Sequence, residues 1–232
     1  MVRINRFALA FGIVMAAFAG AAVQAQTPPS ATEAAAYTGV HAAAQRGNVT
    51  QLETLAKTGA DLNGRDGNGR TPLHVATFAK QREAIRTLAR LGSDLQLLDH
   101  DRYDAVTIAS VADDEDSLRM LLSLGASAEL ITSRYDGTAL IAAAHLGHDG
   151  VVRHLIAAGA PVNHMNNLHW TAAIEAVVLG DGGRRHQLSL QALIAGGADL
   201  RLADRQGLTP LALARSRGYR EMVLMLEHAG AR

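Results

Sequence analysis

The sequence predicts an all-α solenoid of about six helix-turn-helix units, stacked in a row and joined by short finger turns. Three observations carry this. A glycine-led ladder, Gly59-Ala60-Asp61-Leu62-Asn63, recurs as Gly92-Ser93-Asp94-Leu95-Gln96, Gly125-Ala126-Ser127-Ala128-Glu129, Gly159-Ala160-Pro161-Val162-Asn163, Gly197-Ala198-Asp199-Leu200-Arg201 and the truncated Gly230-Ala231-Arg232, in steps of 33, 33, 34, 38 and 33. A second ladder runs in phase through Thr38-Gly39-Val40-His41, Thr71-Pro72-Leu73-His74, Asp104-Ala105-Val106-Thr107, Thr138-Ala139-Leu140-Ile141, Thr171-Ala172-Ala173-Ile174 and Thr209-Pro210-Leu211-Ala212. The composition, 48% hydrophobic but only 4% aromatic, excludes a disordered chain and supplies an aliphatic core. A fixed period of this length marks a repeat array, in which no single unit buries its own apolar face and stacking builds one core.

The elements follow in order along the chain. Residues 1–25 read as a signal peptide: Arg3 and Arg6 precede an uncharged apolar run from Phe7 to Val23, which ends in Val23-Gln24-Ala25 with small residues at the positions signal peptidase inspects. The run is slightly shorter than the ~20 residues a spanning helix needs, so no stable membrane insertion is expected after cleavage. Residues 26–33 are expected to be a short linker, opening with the helix-breaking Gln26-Thr27-Pro28-Pro29-Ser30. A repeat domain is expected over 34–232, with units of approximately 34–65, 66–98, 99–131, 132–165, 166–203 and 204–232.

Within each unit, threonine of the second ladder is a good N-cap, and proline after it fits the first helical position, where its missing N–H costs nothing. Gly47, Gly147, Gly180 and Gly218 are expected to end the first helix, and the ladder glycines the second, because glycine tolerates the left-handed conformation that closes a helix. The polar segments Asn63 to Arg70, Gln96 to Tyr103, Glu129 to Gly137, Asn163 to Trp170 and Arg201 to Leu208 are the fingers between units. The first unit has no finger before Tyr37 and the last stops just after its second helix, so both are expected to be complete caps. The third unit carries Asp104 in place of threonine and Asp113 in place of glycine, and its first helix is expected to start or end irregularly. The fifth unit carries five extra residues, Asp181 to Arg185, between its helices.

Thr71 to Ala76 reads Thr-Pro-Leu-His-Val-Ala, and with both ladders this chain resembles the ankyrin-repeat family from about residue 34 to residue 232. Together with the leader, it looks like the exported ankyrin-repeat proteins of Gram-negative bacteria. The resemblance implies a protein-binding scaffold whose partner meets a concave face made of finger tips and first helices. It also implies that His41 and His74 bond the backbone of a neighbouring loop.

Other function classes find little support. The 22 basic residues balance 22 acidic ones, so no global basic footprint points to nucleic acid. Cysteine is absent, which excludes disulfides, thiolate catalysis and Cys-ligated zinc and suits an oxidising compartment. Of ten histidines, His145 and His148 with His154, His164, His169 and His186 form the only metal candidate, yet no His-Glu-x-x-His spacing or placed carboxylate accompanies them. A His-based metal-binding protein is therefore the alternative reading, while no metal or cofactor is expected. The acidic run Asp113 to Asp116 lacks the alternation of a calcium loop and precedes a helix, where carboxylates are favoured. No Gly-x-Ser-x-Gly elbow is present, and the glycine-rich finger Asn63 to Gly69 is not followed by Lys-Ser/Thr, so no enzyme is expected.

Beyond the leader the aromatics are Tyr37, Phe78, Tyr103, Tyr135, Trp170 and Tyr219. Most fall just before a motif start or within a first helix, and large aromatic and arginine side chains dominate binding hot spots. The expected partner site spans units two to five, centred on Tyr103, Tyr135 and Trp170 and flanked by Arg70, Phe78, Arg134 and His145. Arg184 and Arg185 of the insertion would add two cations that tune orientation and association rate. The expected role is a non-enzymatic periplasmic scaffold that protects a periplasmic enzyme or neutralises a toxin.

Overall fold

The structure, a computed structural model, describes residues 26–232, and the expected signal peptide, residues 1–25, lies outside the described residues. Helix α1 (Ala31–Ala36) precedes six helical pairs. They are α2 (Gly39–Gln45) with α3 (Val49–Lys57), α4 (Pro72–Phe78) with α5 (Arg82–Arg90), α6 (Ala105–Val111) with α7 (Glu115–Ser123), α8 (Ala139–Leu146) with α9 (Asp149–Ala157), α10 (Ala172–Val178) with α11 (Arg184–Ala195), and α12 (Pro210–Arg217) with α13 (Arg220–His228). The first helix of each pair packs on the first helix of the next, and the second helices do the same, giving two layers. Among the described residues there is no named strand, and no helix is long and apolar enough to cross a membrane.

Five of the six first helices start where a short polar side chain satisfies an orphan N–H; Thr38 before α2 makes no such bond. The hydroxyls of Thr71, Thr138, Thr171 and Thr209 accept from the backbone N–H three residues on. Asp104 does the same work for α6, accepting from Thr107 N at 2.9 Å. One register later in the ladder lies the reason the layers fit: Ala43, Ala76, Ala109, Ala143, Ala176 and Ala214 each stand five residues after the cap, and each is at most 1% exposed. A methyl group there lets first helices approach closely. Leu52, Leu88, Leu121, Leu155, Leu193 and Leu226 of the second helices are fully buried against them.

The turn between paired helices needs one left-handed residue, and Gly47, Gly147 and Gly218 supply it at φ 66°, 69° and 71°. Lys80 and Asp113 take the same conformation without glycine, at φ 53° and 52°. The third unit is therefore regular at both ends of its first helix, contrary to expectation, because Asp104 caps as well as threonine and Asp113 accepts the strain. The fifth unit also differs from expectation. Gly180 is not left-handed; a side chain there would collide with the carbonyl oxygen of Ala176, and Gly182 at φ 71° makes the turn instead. The insertion is only partly loop, since Arg184 and Arg185 open α11, which runs to 12 residues where α9 has 9.

The fingers share one device. The backbone N–H of Asp66, Asp99, Asn166 and Asp204 donates to the carbonyl of Arg70, Tyr103, Trp170 and Leu208, closing each finger at 2.9–3.1 Å. The same four side chains accept from backbone N–H groups two and four residues on. The third finger instead carries an isolated bridge between Thr132 and Gly137. His41 and His74 bond the carbonyls of Arg70 and Tyr103, each at 3.0 Å, and so tie each unit to the next finger.

The expected linker 26–33 is also corrected, because its last residues start α1. Ser30 and Glu33 form a reciprocal capping box, and Glu33 then reaches Arg70 and Asn68, each at 2.7 Å. The short helix buries none of its own side chains and is held by these polar contacts.

Candidate partner-binding groove

A groove of about 250 Å³ opens across units three to five. Its floor comes from Thr107 and Val111 of α6, Ile141, Ala142, His145 and Leu146 of α8, and Glu175 with Leu179 at α10. Its walls are fingers, contributing Tyr103, Tyr135, Asn166, Leu168 and Trp170. Each of these first helices brings a pair of residues one turn apart to this face, Thr107 with Val111, Ala142 with Leu146 and Glu175 with Leu179, and the second of each pair is apolar. Of the five large apolar residues most exposed among the described residues, Tyr135 (39%), Leu146 (40%) and Leu179 (38%) all line this groove.

Four of the nine expected site residues meet here: Tyr103, Tyr135, His145 and Trp170. Trp170 also packs partly on the core. Arg70 does not belong with them. It is 2% exposed, clasped by Asp66 and Glu33 at 2.7 Å each, and so is a structural cation rather than a partner contact. Burial alone would raise the Asp66 carboxyl, but hydrogen bonds from Tyr37 and Arg70 outweigh it and hold it at about 2. Hydrogen bonds from Ser30, then Arg70, hold Glu33 at about 2.

Phe78 is half-buried at the end of α4 and does not line the groove. Arg134 is exposed on its finger and pairs with Asp101 at 3.3 Å. Arg184 and Arg185 open the second helix of their unit, at the helix-turn end rather than the finger end, and neither lines the groove. Arg185 bridges to Asp113 at 2.7 Å, two units back, with Asp149 of the intervening unit at 3.8 Å. The other histidines of the candidate cluster are dispersed. His148 bonds the Ser110 carbonyl, His154 the Glu115 carboxylate, His164 the Asp136 carbonyl, and His186 both Asp181 and the His145 carbonyl. Among the described residues no three His, Asp or Glu side chains are placed to hold a metal.

Sequence reasoning missed Glu175, Asn166, Leu146, Leu179 and Gln26. Glu175 is 5% exposed, and its carboxylate accepts from Asn166 Nδ2 at 2.8 Å and from His145 Nδ1 at 3.2 Å. The signal for it was present: four residues after the cap the other units carry Ala42, Val75, Ile108, Ala142 and Leu213. Gln26 also lines the groove, and the Thr27 carbonyl accepts from Arg70 at 3.4 Å, so the described chain starts against this face.

Comparison with known proteins adds the following. Models of the ankyrin repeat match residues 40–89, as ankyrin repeats in many copies, and residues 135–167, as an ankyrin repeat. The ankyrin repeat protein YahD of Escherichia coli (strain K12) is 35% identical over 190 residues, spanning 82% of this chain and 94% of that protein. The crystal structure of an ankyrin repeat domain from Acinetobacter baumannii AYE superposes with a TM-score of 0.78 at 41% identity, over 83% of this chain and 98% of that one. A chain from the structure of a predatory endopeptidase of Bdellovibrio bacteriovorus in complex with an immunity protein shares the fold, with a TM-score of 0.69 at 24% identity over 83% of this chain and 98% of that one.

Proposed function

Because the chain belongs to the ankyrin repeat family, we propose that it is a non-enzymatic scaffold that binds a partner protein across the groove of α6, α8 and α10. One observation carries this reading: the chain concentrates exposed Tyr135, Leu146 and Leu179 in one concave place instead of scattering them. Apolar surface gathered in this way marks an interaction site. The fingers give the walls aromatic side chains, which supply contact area at low entropic cost.

The place of action in this reading is the periplasm, reached through a leader cleaved after Ala25. The charge-flanked apolar run and the absence of cysteine support it. The partner is then a periplasmic enzyme that the scaffold protects, or a toxin that it neutralises. The fold occurs in a complex of an endopeptidase with an immunity protein, a precedent for the fold meeting an enzyme. A photo-crosslinking amino acid placed in cells at Leu179 or Tyr135 tests the groove, with exposed Arg153 on α9 as control. Adducts from the first two and none from Arg153 are expected; adducts from Arg153 alone sink the reading. Amino-terminal sequencing of the protein from a periplasmic fraction is expected to begin at Gln26.

A further inference from the structure

We infer that the partner presents one cationic side chain, a lysine or arginine set between apolar residues, to the carboxylate of Glu175. The inference deepens the groove reading and rests on it. Four residues after the cap every other unit places an apolar side chain, and in α2, α4, α6 and α12 that side chain is buried. A carboxylate in this register departs from the repeat at one unit only, and that unit forms the groove.

A second departure accompanies the first. The finger register that reads Asp66, Asp99 and Asp204 reads Asn166 before α10. Asn166 keeps the finger's own bonds, accepting from Leu168 N and Trp170 N at 3.0 Å each. Its amide then donates to Glu175 at 2.8 Å, which an aspartate could not do. The finger has thus exchanged a repelling acid for a donor that orients the Glu175 side chain.

Charge complementarity identifies what the site takes. Glu175 is the only Asp, Glu, Lys or Arg among the residues lining the groove. Rim charges cancel in pairs, Arg102 with Asp136 and Arg134 with Asp101. Two other acids with little exposed side chain are paired with arginine, Asp66 with Arg70 and Asp114 with Arg82. Asp104, which caps α6, has none. The two partners of Glu175 include no arginine or lysine, and a carboxylate has about four acceptor positions, so two remain. The partners of Glu175 are an amide and an imidazole, neither a permanent cation, and a partner's lysine or arginine would supply one on binding. Leu146 and Leu179, exposed on the same floor, suit the methylene stem of such a side chain, and the nearby Trp170 ring suits a cation as well.

The test is selection of a random linear peptide library on the immobilised chain beginning at Gln26, followed by titration of selected peptides by Trp170 fluorescence. Trp170 is the only tryptophan, so a signal change reports the groove directly. Selected peptides are expected to carry Lys or Arg flanked by aliphatic or aromatic residues. Glu175→Gln is expected to keep the thermal midpoint and to weaken the best peptide at least about tenfold. Replacing that peptide's basic residue with norleucine is expected to weaken it on the unaltered chain and to change nothing further on Glu175→Gln, the coupling signature of a direct pair. The norleucine arm needs no variant protein and holds even if Glu175→Gln folds poorly. Peptides that shift Trp170 fluorescence but lack a basic residue, or that ignore both substitutions, overturn the inference and leave the groove reading standing. Failure to select any peptide that perturbs Trp170 overturns both.

Discussion

Asp104 stands where the other five units place threonine, and the exchange has a measurable cost. One carboxylate oxygen caps α6, but the other is buried without a hydrogen-bond partner, and burial pushes the carboxyl above the ordinary range. Asp104→Thr is therefore expected to raise stability at pH 7 by about 1 kcal/mol, the scale of relieving one unsatisfied buried group. A group whose folded pKa is raised costs stability only above its unfolded value, so the gain should shrink as pH falls toward 4. Urea unfolding of both proteins at pH 7 and pH 5 checks this.

Two other sets of residues set the acid limit. His74, held at about 4 by burial, stays neutral while its unfolded counterpart gains a proton below 6.5, so stability falls across that window by up to ~1.4 kcal/mol per pH unit. Glu33 and Asp66, held at about 2, add stability that is complete above the ordinary carboxylate range and lost as pH drops toward 2. The unfolding midpoint is expected to decline in two stages, and Arg70→Met to flatten the lower one. Arg70 also shows why a side chain's role was harder to read than its position. The acid that captures it, Glu33, belongs to a helix announced by Ser30-x-x-Glu33, and taking residues 26–33 as linker left the arginine looking free. Glu175 was legible by comparing units at one register, although a composition-led search for aromatics passes over it.

At the scale of elements, the ladders placed both helices of all six units, because caps and left-handed turns are local requirements that recur with the period. The fifth unit resisted for a local reason too: five extra residues could extend a loop or a helix, and packing against α9 and α13 favoured three more residues of α11 over those in α9. The turn before α5 makes a further prediction. Lys80 is exposed and left-handed at φ 53°, a conformation that costs a side-chain-bearing residue about 1 kcal/mol. Lys80→Gly is expected to recover most of that and to raise the thermal midpoint by roughly 2–4 °C in a chain of this size. A lowered midpoint would mean that the lysine stem contributes packing not visible in its exposure.

For the whole molecule, stacking makes the core continuous while leaving function to the edge where helices and fingers meet. Leu155 sits in the middle of the second-helix layer and is fully buried. Leu155→Ala is expected to cost about 2–5 kcal/mol in chemical unfolding, since neighbours on both sides lose packing. The groove behaves differently, because Tyr135 and Leu179 are exposed and support little of the fold, whereas Trp170 partly packs on the core. That contrast selects the variant for the most direct test. The protein captured by crosslinking at Leu179 should be titrated against the unaltered chain and against Tyr135→Ala with Leu179→Ala, with thermal midpoints recorded alongside. An affinity loss of about 30-fold, roughly 2 kcal/mol, with the midpoint unchanged is the predicted result; unchanged affinity with a lowered midpoint would show that these side chains serve stacking and that the partner sits elsewhere.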